Sequence, residues 1–375
     1  MTSRIPPALV AAALLGSGRH GVVVAAGIEE PIRVLKSVGA EGLGNAAARD
    51  AWREATAQGL AAVPSLLESM SGANDYALNW LRLAVDAAVQ KGRDAGAEWP
   101  KERLGAVLRD TRNHPKARHL AFTLLRRADP ESAARLLDGF IGDPAPDLRR
   151  EAVDARVQAA TALLAKDKAA GVQALNTALG HAREADQIES IAKQLKDLGS
   201  PADLRRVFGW VTRWKVIGPF DNTGGAGFTK VEPPEEKLDL ASELEGKKGR
   251  VRWMDYESRG DYGVVDLNAA LGTVKGAAGY AMAEIKVPAA RRAQIRLGSE
   301  LGWKVWLNGK YLFGRDEYHR GAEIDQYRLP VELKPGTNVI LVKCLQNEQT
   351  EDWAVDWQFQ LRVTDEQGNP IQSEP

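Results

Sequence analysis

The sequence predicts a two-part α+β chain: α-helices over residues 28–208, then an antiparallel β-sandwich over residues 209–364. Three observations carry this. Apolar residues recur at three- and four-residue intervals through the first half. Near Phe208 the pattern changes to alternation with period two, as in half-buried strands. Seven of the ten tryptophans lie beyond that point. Residues 1–27 read as a signal peptide and residues 365–375 as a C-terminal tail.

The 375 residues match a prior of two domains. With 44% hydrophobic and 27% charged residues, each half has enough apolar material for a core. Fifty basic residues balance fifty acidic ones, so the basic excess of a nucleic-acid binder is missing, and no nucleic-acid partner is expected. A single cysteine forms no internal disulfide and argues against Cys-rich zinc sites, iron–sulfur clusters and CxxCH haem attachment. Cys344 sits in the apolar run Val339–Leu345 and reads as a small core residue. No cofactor is expected.

At the N-terminus, Arg4, the apolar stretch Ile5–Gly16 and the small-residue spacing of Val24-Ala25-Ala26 form an export signal, interrupted by Arg19 and His20. The stretch is too short to span a bilayer, so no transmembrane span is expected in the mature chain. The expected location is secreted, periplasmic or cell envelope. The alternative is a first helix of the array in a cytoplasmic protein.

In the helical half, Ala77-Leu78, Leu81, Leu83-Ala84-Val85 and Ala87-Ala88-Val89 fall on helical spacing. Ser71–Asp75, Arg112–Pro115 and Gly142–Pro144 punctuate the helices with Gly, Pro, Asn and Asp. A weak repeat is visible: helix end, polar turn, new helix, beginning at Leu66, Val107 and Leu136. The last two carry an arginine in the new helix, Arg118 and Arg149. Asp143-Pro144-x-x-x-Leu148-Arg149-x-x-Ala152-Val153 resembles the turn inside HEAT repeats. That resemblance implies an α-solenoid in which the Asp caps the second helix and the Arg bonds back across the pair. Such arrays stack into a concave surface that holds protein partners.

In the second half, Gln294–Leu297, Lys304–Leu307, Tyr327–Leu333 and Trp357–Val363 alternate polar and apolar residues. Asn308-Gly309 is a two-residue type I′ hairpin turn, because both residues tolerate positive φ. Lys334–Asn338 is a second turn. Short strands so punctuated predict a sandwich. Thr223–Lys248, rich in Gly, Pro and charge, is expected as a long surface loop.

Arg213–Asn222 followed by Gly227-Phe228, then Leu297–Lys310 and Leu333–Lys343, resemble the jelly rolls of the PA14-like family and the sugar-binding domain of glycoside hydrolase family 2. The resemblance implies a jelly-roll fold and a carbohydrate or cell-surface polymer as partner. PA14-like modules place paired acidic residues for calcium in a loop matching Ser299-Glu300-Leu301. Only one carboxylate stands there, whereas calcium takes six to eight oxygens, so no metal is expected.

The candidate carbohydrate-binding residues are Trp306, Trp353, Trp357, His319, Arg320 and Asp325. Indoles stack on sugar faces, and the loop Arg315–Gly321, with Asp325 after it, is the densest polar cluster. For each tryptophan the competing reading is sandwich core, and for the loop a solvated turn. The sequence has no G-x-S-x-G elbow, H-E-x-x-H helix or P-loop. The expectation is therefore a non-catalytic scaffold, its helices docking a protein and its sandwich a glycan. The alternatives are a purely protein-binding scaffold and a glycoside hydrolase using carboxylates around Asp316–Asp325.

Overall fold

The computed structural model describes residues 27–372. Its contacts divide the chain into two compact units, and the division falls between Ser132 and Ala133. The expected signal peptide, residues 1–27, lies outside the described residues except for Gly27.

The first unit holds α1 (Glu29–Lys36), α2 (Asn45–Ala57), α3 (Val63–Ser69), α4 (Asp75–Asp94), α5 (Lys101–Arg109) and α6 (Pro115–Ala128). The predicted punctuation is where the helices break. Asn74 Oδ1 accepts a hydrogen bond from the Ala77 amide at 2.9 Å and so caps α4. Pro115 opens α6, where its missing N–H costs nothing. The apolar face of α4, Leu78, Leu81, Val85 and Val89, is buried. A Cβ on Gly92 would stand 2.6 Å from the Leu60 amide nitrogen, so only glycine lets α4 approach residues 59–62 so closely. Arg118 is buried and its Nε donates to the Leu108 carbonyl of α5 at 2.9 Å.

α7 (Pro130–Leu137) spans the division. The second unit continues with α8 (Pro146–Leu164), α9 (Lys168–His181), α10 (Ala185–Asp197) and α11 (Leu204–Phe208). Asp143 accepts from the Ala145 amide at 2.8 Å, and Arg149 reaches back to the Asp143 carbonyl at 3.0 Å. These helices share one buried cluster: Val153, Leu175, Ile188, Leu195 and Phe208, joined by Trp210.

The strands are β1 (Arg213–Asp221), β2 (Glu243–Gly246), β3 (Gly249–Arg252), β4 (Met254–Glu257), β5 (Val264–Asp266), β6 (Ala277–Val287), β7 (Arg291–Gly298), β8 (Gly302–Leu307), β9 (Lys310–Arg315), β10 (Tyr327–Leu333), β11 (Gly336–Gln346) and β12 (Gln358–Thr364). Two antiparallel sheets, β4-β1-β6-β11-β8-β9 and β10-β7-β12-β5, face each other, and β2-β3 form a separate hairpin. Alternation assigns the faces. Ala281, Ala283 and Ile285 of β6 point between the sheets with Ile295, Leu297, Trp303, Val342, Cys344 and Leu361. Ala278, Tyr280 and Met282 point the other way. At the β8–β9 turn Asn308 and Gly309 take φ of 52° and 78°, the left-handed pair that the turn type demands.

The segment expected as a surface loop is instead a cover. Residues 223–253, including α12 (Pro233–Glu236) and the β2-β3 hairpin, lay Phe228, Leu238, Leu244, Val251 and Trp253 over the outer face of the six-stranded sheet. Beneath it Lys343 is fully buried, with Nζ 2.7 Å from Glu235 Oε1, and the Tyr280 hydroxyl donates to the same oxygen at 2.5 Å. The tail is also packed: Ile371 is buried against the sandwich core, and Arg149 and Arg183 bond Gln367 O and Asn369 Oδ1, each at 2.7 Å.

Candidate functional site

Four connections meet at the end of the sandwich where β1 and β11 finish. They are residue 222 after β1, the 299–301 turn between β7 and β8, the 316–326 loop between β9 and β10, and the 347–357 loop between β11 and β12. Three of the six candidate residues come together here.

Trp353 sits on a short 3₁₀ turn, Asp352–Ala354, and is 59% exposed. His319, with φ of 57°, turns its ring beneath the indole, with centroids 4.9 Å apart and planes at 88°. His319 Nε2 lies 3.1 Å from Asn347 Oδ1, while Nδ1 is buried with no protein partner. The Arg320 side chain is exposed, and its amide donates to Glu300 O at 3.3 Å.

The loop that carries Trp353 is held from behind. Buried Gln346 donates to the carbonyls of Ala354 and Asp356 at 3.3 and 2.9 Å. Lys275 Nζ donates to the Ala354 carbonyl at 2.5 Å, and Asn268 Nδ2 to that of Val355 at 2.9 Å. On the opposite side Asn222, fully buried, donates to the Tyr318 hydroxyl at 3.0 Å and to Gln346 O at 3.1 Å. Burial pushes the Tyr318 phenol up to about 12, so it stays neutral while it accepts from Asn222. Partial burial also raises the Glu300 carboxyl, and the nearby Asp356 charge adds to this. The result is an exposed aromatic platform with amide, imidazole and carboxyl groups around it, fixed before anything binds.

The other three candidates belong to the packing. Trp357 is fully buried between the sheets and its Nε1 donates to Cys344 O at 3.1 Å. Trp306 does project away from Val305 and Leu307, but the 223–253 cover leaves it only 6% exposed. Neither indole offers a face to a sugar. Asp325 is 7% exposed: Arg362 meets both of its oxygens at 2.5 and 2.7 Å, and Arg296 Nη1 meets Oδ2 at 2.6 Å. Two cations engage both of its oxygens and the residue is buried, so it anchors the loop and is not presented to a ligand.

Sequence reasoning missed Asn347; Asn222 fell in a stretch read as a turn more often than a binding loop, Tyr318 within the polar loop, and Glu300 was considered only as a calcium ligand. The available signal was the abrupt polar run Gln346-Asn347-Glu348-Gln349 at the end of an apolar strand. Ser299 is likewise structural, donating to Gln358 O and accepting from the Leu301 amide, each at 3.3 Å.

No family model matches the chain, and no curated protein matches it. Among solved structures it is similar to a GH2 beta-galacturonidase from Eisenbergiella tayi bound to glycerol, at 11% identity and a TM-score of 0.24, over 33% of this chain and 24% of that one. It is also similar to a GH31 alpha-xylosidase from Xanthomonas citri, at 13% identity and a TM-score of 0.20, over 34% and 18% of the two chains. The chain thus spans a quarter or less of the length of either. At these scores the likeness carries nothing about fold or activity.

Proposed function

We propose that this protein is a non-catalytic binding protein whose sandwich recognises a carbohydrate or cell-surface polymer at the Trp353 loop end. One observation carries this reading: Trp353 is 59% exposed, whereas Trp214, Trp303, Trp306 and Trp357 are all buried. Among the described residues Trp353 is the one tryptophan left mostly in water, and it stands on a loop braced by buried amides, where binding residues concentrate. An indole face suits the C–H face of a sugar ring. The neighbouring His319, Asn347 and Arg320 supply hydrogen bonds to hydroxyls. The test is a glycan array probed with the intact chain and with Trp353→Ala. Specific binding that weakens at least tenfold in the variant, with an unchanged melting temperature, is expected. An intact, folded chain that binds no glycan would sink the reading. Under the same reading the protein works at the cell envelope or outside the cell, and N-terminal sequencing of the exported chain should find cleavage near Gly27.

A protein partner for the helices has its own support. Tyr76, Trp80 and Leu83 form one stripe along α4, and Tyr76 and Leu83 are 52% and 56% exposed. A partner lost on Leu83→Glu but kept on Trp353→Ala would assign this face.

A further inference from the structure

The loop that presents His319 to Trp353 has another side. Its residues Ala322 and Ile324 wall a pocket of about 300 Å³ on the outer face of the four-stranded sheet, where α10 contributes Glu189. Tyr262, Gln358 and Gln360 complete its working surface, and Trp353 is not part of it. Everything that forms it lies in the second compact unit.

The pocket is built rather than incidental. A Cβ on Gly298 would stand 2.4 Å from Glu323 O, so glycine at the end of β7 is what lets the loop close over the strand. The loop is then locked at its base by Asp325 between Arg296 and Arg362. Gln326 adds bonds to the Ser299 amide and Gly321 carbonyl at 3.2 and 3.1 Å. Gly263, with φ of 62° and no room for a Cβ beside Trp210, turns the chain that presents Tyr262.

Its lining specifies a ligand chemistry. Ile324, Val264 and the Tyr262 ring give apolar surface, while two glutamine amides offer both donors and acceptors. Glu189 lines the pocket beside Tyr262, and its carboxylate oxygens offer acceptors to hydroxyl groups. No lysine, arginine or histidine lines the pocket among the described residues, so nothing there compensates an anion. The volume is at the low end of small-molecule sites, about 300–1,000 Å³, and fits one ring better than a chain.

We infer that this pocket is a second binding site, separate from the Trp353 platform, that takes a single neutral pyranose ring. It stands on its own lining and does not require that the platform bind sugar.

The test is saturation-transfer NMR on the intact chain with methyl β-glucoside and methyl β-galactoside, with methyl β-glucuronide as the anionic control. Ala322→Trp plugs the pocket from an exposed loop position, and Gln360→Ala removes one amide without filling space. The expected result is transfer to at least one neutral glycoside. That transfer falls at least fivefold in both variants and is unchanged in Trp353→Ala. No transfer to either neutral glycoside, equal transfer to the glucuronide, or a signal that survives Ala322→Trp would overturn the proposal. A signal lost in Trp353→Ala but kept in Ala322→Trp would overturn it while supporting the platform.

Discussion

Asp325 shows how a residue's neighbours decide its job. In the sequence it closes a charged loop and reads as a hydroxyl ligand; in the structure it is clamped by two buried arginines. Burial alone would push its carboxyl up. The hydrogen bonds and charge of Arg362, with those of Arg296, more than offset this and hold it below the usual carboxylate range. Its stabilising contribution is therefore full above the unfolded-state value near 3.9 and is lost as pH falls through the lower folded value. Asp325→Asn leaves two guanidinium groups buried against a neutral amide and should cost about 3–5 kcal/mol at pH 7. Urea unfolding at pH 7 and pH 3 should show the gap to wild type narrowing in acid. Cys344 behaves as its apolar run implied: fully buried, with burial pushing its thiol up to about 12. It should resist alkylation at pH 8 until denaturant is added, and rapid labelling of the native chain would contradict its placement.

At the scale of elements, the 223–253 cover is the largest departure from what the composition implied. Gly, Pro and charge there do not mean a solvated excursion, because Phe228, Leu238, Leu244, Val251 and Trp253 are spaced among them and find the sheet. The Lys343–Glu235 pair pins the cover down. Burial draws the Lys343 ammonium below the ordinary lysine range, against the bond and charge of Glu235. Removing one partner strands a buried charge. Glu235→Leu alone should therefore cost about 3–5 kcal/mol, and the double change with Lys343→Met should recover most of it. A double-mutant cycle by urea unfolding measures this, and equal losses in the single and double variants would show that the pair is not coupled. The hairpins needed no such correction. Asn308-Gly309 specified its turn type locally and sets the pairs Leu307 with Lys310 and Trp306 with Tyr311, after which a bulge shifts the register so that Val305 faces Phe313.

For the whole molecule, the change from helix to strand near residue 208 was legible, but the compact units divide at residue 132. Composition changes where secondary structure changes, whereas compactness follows contacts, and here the contacts cross that line. Arg362 of β12 donates to Phe208 O at 3.2 Å, and Trp210 packs into the helical cluster. A chain of residues 133–375 should fold cooperatively. One of residues 209–375 should be markedly less stable or aggregate, because Trp210 and Ile324 lose their cover. Thermal unfolding of the two fragments decides between the divisions, and equal stability would favour a boundary at 208.

The sequence by itself determined the helical first half and the stranded second half, the Asn308-Gly309 hairpin turn, the alternation of the strands it singled out and the burial of Cys344. These follow from periodicity and turn chemistry, which act over a few neighbouring residues. Tertiary structure alone decided which tryptophan stays in water, which carboxylate is spent on arginines and where a pocket opens beside α10. Each of these depends on residues far apart in the chain arriving at one place. A pattern of period two gives a side chain its face of the sheet but cannot say whether another segment covers that face.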